Sequence, residues 1–272
     1  MLLFSGCVNS NDANINMDNP DNTMHTTTEI SISMAGGTAV VPIAQETAKI
    51  FMKSNPNVKI EVVGGGSGFG INEIGEKRID IGMAGRNIKS SEMEKYPDLI
   101  AYKIAVDGVA LVVNKENIIN NLTTEQLQKI YSKTITNWKE VGGNDEPINT
   151  YTRDELSGTR DTFWKLALNK NNISDKALVV ASNGEMKAKV SADKNGIGYI
   201  SVGYIDESVK PVALDGVSPT KENIKKGDYK VYRPLILITN GKPEPIVKEY
   251  IDYILSPEGQ KIIVNKGFLP IN

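Results

Sequence analysis

The chain has almost no histidine or cysteine, two of the side chains that enzymes use most as bases, nucleophiles and metal ligands. Its 272 residues include one histidine and one cysteine, His25 and Cys7, both in an N-terminal stretch with few large apolar residues. A Cys/His metal site or a Cys–His nucleophile pair has no material to be built from. The part that reads as folded holds no histidine, so a serine there has no imidazole base beside it. No paired-carboxylate cluster suggests a metal. An excess of one charge is also missing: 31 Lys+Arg against 33 Asp+Glu leave a formal charge of -2. A broad nucleic-acid footprint, which needs a basic face or stripe, is therefore not expected. An anionic ligand would have to be held by local geometry. No internal repeat is visible, which sets aside a solenoid.

What is present suits a soluble α/β protein: 40% hydrophobic residues, 24 glycines and 12 prolines. The length allows one large domain or two of about 100–130 residues, each with its own core. The most informative stretch is Tyr151 to Trp164, YTRDELSGTRDTFW. Arg153, Glu155 and the small polar turn Ser157-Gly158-Thr159 come immediately before a helical pattern marked by Phe163, Trp164 and Leu168. Free N–H groups at a helix start, flanking hydroxyls and an arginine fork together make an anion site.

Taken in order, Met1 to Val8 (MLLFSGCV) is too short to span a bilayer. Small residues before Cys7, after Leu2, Leu3 and Phe4, resemble a lipoprotein processing site, so Cys7 is the expected lipidation point. Residues 9–28, rich in Asn, Asp and Thr, read as a disordered tether in which His25 has no metal role. The folded body begins near Glu29 with the alternating strand EISISM, then turns through Gly36-Gly37-Thr38 into an amphipathic helix. KIEVVG is a second strand, followed by the glycine run 64–70 and a short helix; DIGMAG is a third, ending at Gly85-Arg86. The glycine run by itself reads as a tight strand-to-helix turn, because it matches neither a mononucleotide loop nor a dinucleotide fingerprint. Its recurrence with the turn after Met34 is what suggests convergence on one anion along the edge of a parallel sheet.

Further on, KIAVDGVALVVN (103–114) reads as a long apolar segment interrupted at Asp107-Gly108. A helix capped at Thr123 or Thr124 follows, with Gln126 or Glu125 completing the cap. Trp138 and Trp164 read as packing residues. A strand at ALVVAS, a helix from Gly184, a strand at Gly198 to Ser201, a long apolar strand at 229–241 and two C-terminal helices complete the chain.

These segments together resemble the phosphate-binding proteins of phosphate ABC importers, within the two-lobed periplasmic-type solute receptors. The resemblance runs from about Ile30 to Pro270, and RDELSGTR, NGIGYISVGY, RPLILITNG and LSPEGQ carry most of it. It implies an α/β, two-lobed periplasmic-binding-protein-like fold (type 2), each lobe a mixed sheet flanked by helices, with a two-strand hinge. Lobe 1 would be 29–107 plus 237–272 and lobe 2 would be 108–236, with crossovers near Gly108 and Ile236. It also implies ligand contacts at Thr38, Ala39, Ser67 and Gly68 on one lip and Arg153, Ser157, Gly158 and Thr159 on the other. Glu155 would orient Arg153, no cofactor or metal is implied, and the partners would be inorganic phosphate and an ABC permease, with the receptor a monomer on a lipid anchor. One departure stands out. The family has hydroxyls, and in some members a proton-accepting carboxylate, where this chain reads Ala84-Gly85-Arg86. Gly85 can offer only its backbone N–H, which leaves Glu155 as the sole motif candidate for the proton acceptor. Capture of phosphate, capture of another tetrahedral oxyanion such as sulfate or molybdate, and processing of a phosphate ester with Ser157 as nucleophile are the readings to separate.

Overall fold

A computed structural model of the chain describes residues 29–271. The expected lipidation residue Cys7, His25 and the expected tether 9–28 lie outside the described residues. From the N-terminal side the elements are β1 (Ile30–Gly36), α1 (Val41–Ser54), β2 (Val58–Gly64), α2 (Ser67–Gly75), β3 (Ile81–Ala84), α3 (Ser90–Lys95) and β4 (Leu99–Asn114). Then come β5 (Asn121–Leu122), α4 (Thr124–Tyr131), β6 (Asn149–Arg153), α5 (Gly158–Leu166), β7 (Leu178–Val180), α6 (Asn183–Ala192), β8 (Gly196–Ser201) and β9 (Val209–Leu214). α7 (Lys221–Lys226), β10 (Tyr232–Asn240), α8 (Pro245–Leu255) and α9 (Pro257–Asn265) follow.

Local chemistry sets many of these boundaries. Thr123 caps α4 by accepting from the Gln126 N–H, while the Gln126 side chain accepts from the Thr123 N–H, so two otherwise unpaired backbone donors are satisfied. Ser157 caps α5 and Ser256 caps α9 from one side only, each accepting a backbone N–H with no reciprocal bond. Proline near the first position opens α1, α8 and α9, where its missing N–H costs nothing. Gly36 ends β1 at φ +138°, and a Cβ there would lie 2.1 Å from the Met83 carbonyl oxygen. Only glycine allows β1 and β3 to run this close before the turn into α1.

The strands pair in the order β2-β1-β3-β10-β4-β8-β6-β7, with β9 beside β4 and β5 beside β9. β1, β2 and β3 are mutually parallel, as are β6, β7 and β8, whereas β10 and β4 run antiparallel to their neighbours. The two largest cores lie one in each half. One gathers Ile32, Ile43, Phe51, Ile81, Leu237 and Tyr250; the other gathers Leu111, Leu127, Tyr131, Trp138, Phe163 and Tyr199. Each such buried side chain contributes about 1.5–3 kcal/mol of transfer free energy. Phe163 and Tyr199 stack with ring centres 3.9 Å apart and 10° between planes.

β4 joins the two halves. It pairs with β10 up to Gly108 and with β8 from Val109 onward, so one strand serves both sheets. The polar interruption of the apolar run at Asp107-Gly108 falls inside β4 without breaking the strand, at the point where its pairing changes. Asp107 is fully buried within the strand, where its carboxylate is met by Arg233 and Ser201. Leu235 and Ile236, on the lobe 2 side of the expected boundary, pack with Leu237 and Ile238 in the cores of the first half.

Candidate functional site

Where the two halves face each other, the starts of three helices meet around a narrow, nearly closed space. Gly37, Thr38 and Ala39 precede α1, Gly66 and Ser67 begin α2, and Gly85 follows β3; these form one lip. Arg153 at the end of β6, with Ser157, Gly158 and Thr159 at the start of α5, forms the other, and Arg233 at the head of β10 reaches in from the junction. Seven of the expected contacts are therefore together with Gly85: Thr38, Ala39, Ser67, Arg153, Ser157, Gly158 and Thr159.

The hydroxyls have a common arrangement. Ser67 Oγ accepts the Gly85 N–H at 2.9 Å, Ser157 Oγ accepts the Arg160 N–H at 3.2 Å, and Thr38 Oγ1 accepts from Asn183 Nδ2 at 3.0 Å. With a lone pair engaged by the protein, each oxygen keeps its own O–H to offer to a ligand. Arg153 is 2% exposed and is oriented through carbonyls: Nε donates to Val180 O at 3.0 Å and Nη2 to Ala181 O at 2.8 Å. Its Nη1 lies 3.5 Å from Thr38 Oγ1 on the opposite lip. Burial works against its charge, so an anion beside it is stabilising.

Three expectations change at this level. Glu155 does not orient Arg153: its side chain is 83% exposed and pairs with Arg160 at 2.8 Å. The turn into α5 carries residue 155 outward, and carbonyls do the orienting that a carboxylate was expected to do. Gly68 is buried but does not line the space, because its N–H crosses to Leu156 O at 2.9 Å. Gly85 lines the space, yet its N–H is committed to Ser67 and not free for a ligand.

The lips are also tied directly. Tyr204 Oη donates to Thr38 O at 2.6 Å, and Lys89 lies 3.8 Å from Asp161. Burial pushes the Tyr204 phenol up to about 12, so it remains a donor through neutral pH. Asn183 is fully buried; it reaches Thr38 and Thr159 with its amide and accepts the Ser201 N–H. Arg233, Asn183 and Tyr204 were not singled out from sequence as site residues. The available signal was a pair of lone opposite charges in apolar strands, Asp107 in KIAVDGVALVVN and Arg233 opening RPLILITNG. Among the described residues no group of three or more His, Cys, Asp or Glu is placed to hold a metal.

Two α/β halves joined by shared strands, with helix starts and a buried arginine between them, define the two-lobed periplasmic-binding-protein class. Residues 22–258 match the family model described as a PBP superfamily domain. The phosphate-binding protein PstS of Borreliella burgdorferi is 35% identical over 94% of this chain and 93% of its own length. That of Bacillus subtilis is 31% identical over 89% of this chain and 81% of its own length. A crystal structure described as a phosphate ABC transporter substrate-binding protein with bound phosphate, from Clostridium perfringens, superposes with a TM-score of 0.85 at 37% identity, covering 89% of this chain and all of that one. An ABC-type phosphate transport receptor from Vibrio cholerae gives a TM-score of 0.72 at 36% identity, covering 88% of this chain and 99% of that one. The chain belongs to the PstS family of phosphate-binding proteins within the PBP superfamily.

Proposed function

We propose that this protein is an extracytoplasmic receptor that captures inorganic phosphate between its lobes and delivers it to the permease of an ABC importer, without catalysing a reaction. The observation that carries the reading is the convergence of Thr38, Ser67, Ser157 and Arg153 from opposite lips on one small space, each hydroxyl with its O–H unspent. Thr38, Ala39 and Ser67 would hold the anion from one side and Arg153, Ser157, Gly158 and Thr159 from the other, so that binding favours closure. Lobe 1 is read as 29–107 plus the chain from about 237, with Leu235 and Ile236 supporting an earlier return, and lobe 2 as the insert between. Cys7 would carry a lipid that keeps the monomeric receptor at the outer face of the membrane. The phosphate-binding relatives support the choice of ligand.

A second reading, a receptor for another tetrahedral oxyanion, draws on one observation. No carboxylate lines the space, and Glu155, the sequence candidate for accepting a proton from phosphate, points to solvent. Calorimetric titration of ligand-free protein with phosphate, sulfate, arsenate and molybdate separates the two. Phosphate heat at micromolar or tighter affinity is expected; sulfate heat with none from phosphate would overturn the assignment. Steady turnover of a phosphate ester, lost in Ser157→Ala, would overturn the non-enzymatic reading.

A further inference from the structure

The crossing strand β10 brings a second arginine to the cleft, and its bonding does not use up its donors. Arg233 is 3% exposed. Its Nε donates to Asp107 Oδ2 at 2.9 Å and its Nη1 to Gly85 O at 3.0 Å. Nη2 lies 2.8 Å from Asp107 Oδ2, close enough for an ion pair, but without the alignment of a hydrogen bond and with no other partner. A guanidinium has five N–H groups, so three of these remain unassigned in a buried position. A purely structural clamp for Asp107 would leave less unsatisfied.

Charge points the same way. Two guanidiniums, Arg153 and Arg233, border one space; the buried carboxylate near them, Asp107, is shared with Ser201, and the partly exposed Asp154 lies 4.0 Å from Arg153 Nη2. The positive charge inside the cleft is only partly compensated, Asp154 being half-exposed and at the limit of ion-pair distance, and an anion between the lips would complete the compensation. Gly85 sets the approach. A Cβ at that position would lie 3.0 Å from Arg233 Nη1 and 3.1 Å from Cζ, so a side chain there would press on the guanidinium.

We infer that Arg233 is a second anion-binding arginine, held by Asp107 and given room at the cleft by Gly85. The inference rests on the reading of the cleft as an anion site, not on the anion being phosphate. Position 85 and position 233 then form one unit: the small residue is needed only while the arginine is there.

The test is a double-substitution cycle read by calorimetry with phosphate, with melting curves as a folding control. Arg233→Met is made together with Asp107→Asn so that no buried carboxylate is left unpaired, and Arg233→Lys serves as a milder variant that keeps the charge. The double variant is expected to bind about tenfold to a hundredfold more weakly, as removal of a charge-assisted contact does, and Arg233→Lys to fall between it and the parent. Gly85→Ser is expected to weaken binding in the parent by crowding Arg233, and to strengthen it in the Arg233→Met/Asp107→Asn background, where a hydroxyl has room. A structural role alone would lower the melting temperature without that change of sign. Binding within twofold of the parent in both Arg233 variants, or an equal effect of Gly85→Ser in the two backgrounds, would refute the inference. If the parent binds sulfate and not phosphate, the phosphate assignment fails by itself, and the same cycle run with sulfate decides the role of Arg233.

Discussion

Thr38→Val removes one hydroxyl and keeps the shape of the side chain, and its effect can be worked through contact by contact. Thr38 is 9% exposed, and its Oγ1 receives Asn183 Nδ2 at 3.0 Å, the Asn183 N–H at 3.3 Å and Arg153 Nη1 at 3.5 Å. All three donors belong to the opposite lip. In the valine variant Asn183 Nδ2 retains only its longer contact to Thr159, at 3.4 Å, and Arg153 Nη1 loses its only protein acceptor. Leaving a buried donor unmatched costs about 1–3 kcal/mol. The cost falls on the closed arrangement, because in an opened cleft the same donors reach water. At about 1.4 kcal/mol per tenfold, phosphate affinity should drop roughly 5- to 150-fold, while the melting temperature of the ligand-free protein changes little. Thr38→Ser keeps the oxygen and should stay near the parent. Calorimetry gives the affinity, and small-angle scattering with and without phosphate gives the extent of closure. Affinity for Thr38→Val within twofold of the parent would mean that the lips are not held through this oxygen, and closure would have to depend on other contacts.

Glu155→Gln should leave phosphate affinity within about twofold, because an exposed pair such as Glu155–Arg160 contributes about 0–1 kcal/mol; a tenfold loss would return Glu155 to the site. Tyr204→Phe deletes the 2.6 Å bond to Thr38 O and should weaken binding by about 1 kcal/mol, seen by calorimetry. The Tyr204 phenol is raised to about 12, so its bond, made by the neutral form, is complete below the ordinary tyrosine value near 10 and lost only as pH rises through about 12. The affinity ratio of parent to Tyr204→Phe should therefore be flat between about pH 7 and 10; a ratio that collapses near the ordinary value would contradict the burial argument. Phe163→Ala should cost about 3–5 kcal/mol in denaturant unfolding, since it removes a fully buried ring stacked on Tyr199.

Sequence was most informative where one local pattern fixes one local structure. The alternation in EISISM, the capping box at Thr123 and Gln126, and the serine-glycine-threonine turn before α5 each specify their own geometry within a few residues. The site was legible to the same depth: its hydroxyls and Arg153 lie in helix-start motifs. What stayed hidden depends on distant partners. Asp107 looked like a break in an apolar run because the charge that makes it tolerable, Arg233, lies 126 residues away. Asn183 and Tyr204 act by reaching Thr38 across the cleft, and nothing in their own neighbourhoods encodes that reach. Glu155 failed in the opposite way. The resemblance suggested that it pairs with Arg153, but the turn sends Glu155 to Arg160, and the carboxylate nearest Arg153 is that of Asp154 at 4.0 Å.

The continuity of β4 through both halves has a consequence for how the protein is used over time. Its hydrogen bonds pass from β10 to β8 at Gly108 and Val109 without a break in the strand, and the shift in β10 pairing between Leu235 and Ile236 is a point of compliance close by. A shared strand of this kind can bend and twist, but it cannot slip against itself. In the closure proposed above, movement would be elastic and not plastic: no ladder would be unzipped and none would have to find its alignment again. A receptor hinged on such a strand would return to the same matched lips after every delivery and grip its thousandth cargo as it did its first.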